Sequence, residues 1–117
     1  MKKIYHLSTC DTCKKILKEI NAPQSYTLQD IKTNPLTEDD LEELKKLTGS
    51  YEKLFSKRAR LYKERDLKNK QISEQDYKTL LLEHYTFLKR PVVVNGNEIF
   101  TGNSKKTVEA AKNSLHE

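Results

Sequence analysis

The sequence predicts an α/β fold: a four-stranded mixed sheet flanked by helices, with a helical insert subdomain between the two halves of the sheet. Three observations lead there. Residues 3–29 read as strand, helix and strand. Residues 92–101 read as two strands around Asn95-Gly96, the strongest short hairpin signal. Between them lie segments that open on polar caps and continue at helical spacing. A β-α-β unit, then helices, then a hairpin and a terminal helix, packs as a mixed sheet with helices against it.

Each element has its own warrant. Lys3 to Leu7 is a short apolar strand. Thr12 to Ile20 has helical periodicity and stops at Asn21-Ala22-Pro23. Ser25 to Gln29 alternates and is rich in β-formers. Asn34-Pro35 is a turn, and Thr37 caps a helix with Glu38, Asp39 and Asp40 in its first turn and Leu41, Leu44 and Leu47 on one stripe. That helix ends at Thr48-Gly49. Tyr51 to Phe55 reads as a short helix. Ser73 caps another, with Tyr77, Leu80, Leu81, His84 and Tyr85 on or near one face. Val92-Val93-Val94 is a buried strand, Glu98 to Thr101 its returning partner, and Lys105 to Leu115 a final helix facing inward with Val108, Ala111 and Leu115. We expect one domain over residues 1–117, with residues 37–88 as the insert.

Composition narrows the class. Apolar residues make up 35% and charged residues 33%, so the core is modest and the helices carry heavily charged outer faces. No apolar run approaches the roughly 20 residues of a membrane span. Met1-Lys2-Lys3 leads into an apolar segment too short for a secretory signal, so the expected location is cytoplasmic. The net charge of +5 owes much to Lys57 to Lys70. Anion or nucleic-acid attraction is one reading, and a solvated face with Glu64 and Asp66 interleaved is the favoured one, since no nucleic-acid-binding module accompanies it. The six tyrosines are dispersed and mark core edges, with no stacking platform. A monomer is expected.

The chemistry concentrates at the only cysteines, Cys10 and Cys13, in Ser8-Thr9-Cys10-Asp11-Thr12-Cys13-Lys14-Lys15. A C-x-x-C between a strand and a helix is the layout of a thiol redox site, here a thioredoxin-like arrangement. Cys10 falls at the helix N-cap, where free N–H groups favour a thiolate, and Cys13, three residues on, shares its face and can act as resolving thiol. Lys14 and Lys15 add positive charge, while Asp11 opposes ionisation. Thr9 and Thr12 are helix-start residues with hydroxyls near the site. His6 is either a base near Cys10 or a strand residue pointing away. Two inert buried cysteines are the plain alternative. A zinc site lacks ligands, because His6, His84 and His116 are scattered.

Further stretches extend the pattern: Leu54-Phe55-Ser56-Lys57-Arg58, Arg90-Pro91-Val92-Val93-Val94 and Phe100-Thr101-Gly102-Asn103. Together with Cys10, in this order and spacing, the chain resembles the arsenate reductase–like family over nearly its whole length. That family includes glutaredoxin-linked arsenate reductases, Spx-type transcription regulators and YffB-type proteins. The resemblance implies a nucleophilic Cys10 that attacks arsenate or a disulfide, a site arginine at Arg58 with Arg60 as runner-up, a second at Arg90, and a cis Pro91 facing the cysteine. Arg58, Arg60, Thr9, Thr12 and Pro91 would contact substrate, and Cys10, Cys13 and Arg90 would carry the chemistry. No resident cofactor is implied. Thioredoxin, or glutathione with glutaredoxin, would be the reductant. Two departures stand out. Where arsenate reductases of this type carry a further arginine before the last helix, this chain has Thr101-Gly102-Asn103-Ser104. Cys13 also permits an internal disulfide, a feature shared with the Spx-type regulators. These also share a glycine near Gly49, at the surface that meets the RNA polymerase α subunit. The alternative function is therefore a redox-sensing regulator that binds RNA polymerase.

Overall fold

The computed structural model describes all 117 residues. By contacts within the chain they form two compact units, Met1–Asn34 with Arg90–Glu117, and Pro35–Lys89.

The first unit holds the sheet. Strands β1 (Lys2–His6), β2 (Thr27–Asp30), β3 (Val92–Asn95) and β4 (Glu98–Thr101) lie in the order β2-β1-β3-β4. β1 pairs parallel with β2 and antiparallel with β3, which pairs antiparallel with β4, so the sheet is mixed, as the sequence predicts. Helix α1 (Asp11–Ile20) joins β1 to β2, and α5 (Lys105–Leu115) follows the hairpin. The result is a thioredoxin-like layout. Register explains the core: Ile4 stands opposite Leu28 and Val93, and Val93 opposite Phe100, so these side chains share one face. On that face Ile4 and Val93 pack with Ile16 and Ile20 of α1, Tyr26, and Val108, Ala111 and Leu115 of α5. Ile4 has no solvent exposure. Ile4→Ala should cost about 2–5 kcal/mol, read as a lower urea midpoint with an unchanged slope; a midpoint equal to wild type would contradict this packing.

The second unit is helical. α2 (Glu38–Thr48) and α4 (Glu74–Glu83) both open on capping boxes, Thr37 with Asp40 and Ser73 with Asp76. In each, the cap hydroxyl accepts from the third residue's N–H, and that residue's carboxylate accepts from the cap N–H. Gly49 closes α2 in the left-handed region at φ 95°, donating its N–H to Lys45 O at 2.7 Å. A single 3-10 turn, Glu52–Leu54, stands where a short helix was expected. The basic segment holds only a five-residue helix, α3 (Arg60–Glu64), and a 3-10 turn, with most of its charges exposed. Arg65 pairs both guanidinium nitrogens with Glu83, at 2.7 and 3.0 Å. Phe55 stacks on Phe87 and contacts Tyr77 and Tyr62, which makes an aromatic centre for this unit.

Three expectations need correction. β2 runs over Thr27–Asp30 rather than residues 25–29, because the Tyr26 N–H bonds back to Pro23 O and keeps residues 23–26 in a turn. α4 stops at Glu83 instead of running on to Tyr85: His84 is extended (φ −152°, ψ 137°), and its Nδ1 accepts from the Thr86 N–H to start a new turn. Tyrosines are also more than core edges, since Tyr5 is only 1% exposed, on the sheet face opposite Ile4. No helix is long and apolar enough to cross a membrane.

Candidate functional site

The turn between β1 and α1 delivers Cys10. Its N–H returns to Leu7 O at 3.0 Å, and its carbonyl accepts the Lys14 N–H at 3.1 Å, the first bond of the helix. Cys10 is therefore the N-cap of α1, with extended backbone (φ −97°, ψ 113°), and its side chain is partly exposed. Cys13 lies one turn along on the buried face that continues through Ile16 and Ile20. Both are free thiols.

Their environments push them apart. Burial raises the Cys10 pKa, but hydrogen bonds from the Cys13 N–H and thiol, the Arg90 charge and the Thr12 N–H outweigh it, and the net shift is downward. Cys13 goes the other way, up to about 11: burial dominates, and proximity to the Cys10 thiolate adds to it, against a hydrogen bond from Leu7 and the Arg90 charge. As pH rises, Cys10 therefore loses its proton before Cys13 does. Such a split suits a nucleophile and a resolving thiol.

Arg90 is the cation both sulfurs feel. It is partly buried, immediately before β3, and its peptide bond to the buried Pro91 is cis. Pro91 O accepts the Gly102 N–H at 2.9 Å, which fastens the start of β3 to the end of β4. Gly102 is left-handed, at φ 98°, with open space where a Cβ would point. The place lacking the further arginine is therefore sterically roomy, yet its backbone favours glycine.

Thr12 contributes its backbone N–H to Cys10, while its side chain is exposed. Thr9 is exposed in the turn before the cap, so it does not itself cap the helix. Lys14 and Lys15 are exposed on α1, and the charge acting on the thiols comes from Arg90 instead. His6 ends β1 opposite Asp30, and its charge acts on that carboxylate. Arg58 and Arg60 belong to the second unit, both exposed; Arg60 Nε lies 3.5 Å from Glu64, and the Arg58 N–H donates to Ser56 Oγ.

Sequence reasoning missed Asp30. Its Oδ1 accepts from the Ser8 N–H at 3.2 Å and the Lys32 N–H at 3.1 Å, and the Ser8 side chain also bonds to it. An aspartate at the end of a strand carries no signal of a partner 22 residues away, so only the parallel β1–β2 pairing discloses it.

The profile of the ArsC family matches residues 5–111. A Staphylococcus aureus COL protein of known solution structure is 31% identical, with a TM-score of 0.72 over 95% of this chain and 98% of that one. An ArsC family related protein from Bacteroides fragilis is 28% identical, with a TM-score of 0.74 over 94% of this chain and 96% of the other. The global transcriptional regulator Spx 2 of Bacillus anthracis is 26% identical over 102 residues, 85% of this chain and 77% of the regulator.

Proposed function

The chain belongs to the ArsC family, and on that premise we propose that it is a cytoplasmic thiol oxidoreductase with Cys10 as nucleophile and Cys13 as resolving thiol. The observation that carries the reading is the opposed pair of thiols, Cys10 lowered and Cys13 raised, beside one arginine. With a disulfide substrate, the Cys10 thiolate attacks one sulfur and the other leaves as a thiolate. Cys13 then attacks the Cys10 sulfur, losing its proton as the internal disulfide forms and the second substrate thiolate departs. With arsenate, the Cys10 sulfur bonds to arsenic as an oxygen leaves as hydroxide or water. Attack by Cys13 on that sulfur then leaves the bonding pair on arsenic, reducing it by two electrons. Thioredoxin, or glutathione with glutaredoxin, returns the disulfide to the dithiol.

In this reading Arg90 stabilises the thiolate and binds an oxyanion as a planar fork. Thr12 supplies an N–H to Cys10, and Thr9 and Pro91 border the substrate. The family resemblance offers Arg58, with Arg60 as runner-up, as a second oxyanion arginine. Arsenate-dependent consumption of reductant by the purified protein, coupled in turn to thioredoxin and to glutaredoxin, tests the arsenate version. Steady turnover in either coupling is the expected result. Silence in both, with intact disulfide reduction, would restrict the enzyme to disulfides.

Kinship with Spx 2 supports a second reading, a redox-sensing regulator that binds the RNA polymerase α subunit. Gly49 tempers it, because its left-handed cap on α2 already accounts for a glycine there. Capture of polymerase by the immobilised protein, oxidised or reduced, would favour the regulator; no capture in either state would remove it.

A further inference from the structure

The turn carrying Cys10 has no glycine or proline to fix it; Ser8 and Thr9 are all that separate Leu7 from Cys10. One side of this turn is closed by the Cys10 N–H on Leu7 O at 3.0 Å. The other is held from outside by Asp30, at the end of the neighbouring parallel strand, through the Ser8 N–H at 3.2 Å and the Ser8 side chain. The strands converge just there, with the Ile31 N–H on His6 O at 2.9 Å. An aspartate at a strand end ordinarily serves its own turn, as its bond to the Lys32 N–H does. Its reach to Ser8, across 22 residues of chain, serves the other loop.

We infer that Asp30 is a positioning residue for Cys10, a clamp on Ser8 that keeps the Cys10 sulfur over the N–H groups of Thr12 and Cys13. This rests on the reading of Cys10 as nucleophile. The logic is geometric. Those N–H groups stabilise a thiolate only while Cys10 keeps its extended cap conformation, and a frayed turn lets the sulfur drift into water. Direct electrostatics would act in the opposite sense, because a carboxylate near a thiolate opposes ionisation. The titratable groups facing Asp30 are His6, opposite it in the sheet, and Lys32, two residues on. Its Oδ1 is engaged by the Ser8 and Lys32 N–H groups. Removing the clamp and removing the charge therefore predict opposite shifts.

The test is the pH profile of Cys10 alkylation by iodoacetamide in the reduced full-length protein, followed by peptide mass spectrometry. Asp30→Ala should move the midpoint upward and lower Cys10 alkylation at neutral pH about threefold to tenfold. Asp30→Asn should stay within about twofold of wild type, since an amide oxygen accepts the same two N–H bonds. Superimposable Asp30→Ala and wild-type profiles would overturn the clamp and leave the Cys10 reading intact. A downward shift in Asp30→Ala would also overturn it, because charge and not geometry would then govern, and so would equal upward shifts in both variants, because an amide that keeps the two N–H bonds would then fail to hold the turn. A wild-type profile like that of a free cysteine would defeat the nucleophile reading itself. Should Asp30→Ala fail to fold, Asp30→Glu carries the test: it keeps the charge and moves the oxygens by one methylene. Its expected upward shift supports the clamp, and a wild-type profile overturns it.

Discussion

Cys10→Ser should abolish turnover, with a fall of at least about four orders of magnitude on any substrate the wild type reduces. A hydroxyl at this N-cap meets the same N–H donors, but its pKa is too high for them to generate an alkoxide at neutral pH. Nor can Cys13 take over, since burial, the largest cause of its raised pKa, persists in the variant. The fold should be unaffected, because serine is a better helix cap than cysteine and Cys10 contributes little to the core. Steady-state turnover alongside far-UV circular dichroism checks this; residual activity within a hundredfold of wild type would move the nucleophile elsewhere.

Arg90→Leu should lower turnover by roughly two to three orders of magnitude, the usual loss when one charged oxyanion donor is removed. Two effects coincide. The Cys10 thiolate loses the one cation that acts on both sulfurs, so its pKa rises, and the substrate loses a planar fork. Arg90→Lys separates them: a point charge restores part of the thiolate but not bidentate binding, so thiol reactivity should recover more than turnover. Equal recovery of both would mean that charge alone matters. A wild-type rate in Arg90→Leu would remove the arginine from the chemistry.

Much of this arrangement was legible in the sequence, for definable reasons. Thr37 and Ser73 announced their helices because a hydroxyl three residues ahead of a carboxylate satisfies the helix end locally. Asn95-Gly96 announced the hairpin one residue early: the loop is Gly96-Asn97, with Asn95 of β3 paired to Glu98 and Gly96 at a positive φ of 61°. Cys10 announced itself because strand, thiol and helix lie within about ten consecutive residues. What stayed hidden was non-local. Asp30 reads as an ordinary strand end until parallel pairing brings Ser8 beside it. Lys14 and Lys15 looked like the activating charges because they are near in sequence, whereas Arg90 acts from the far side of the sheet's connectivity. The end of α4 is hidden because His84 has helical spacing but uses its ring as a cap.

The most direct test of the central claim is a pH titration of both thiols in one experiment, by alkylation of the reduced protein. A single thiolate on Cys10 below the ordinary cysteine range, with Cys13 unreactive until about pH 11, is the predicted result. Two cysteines titrating together near about 8.5 would contradict it.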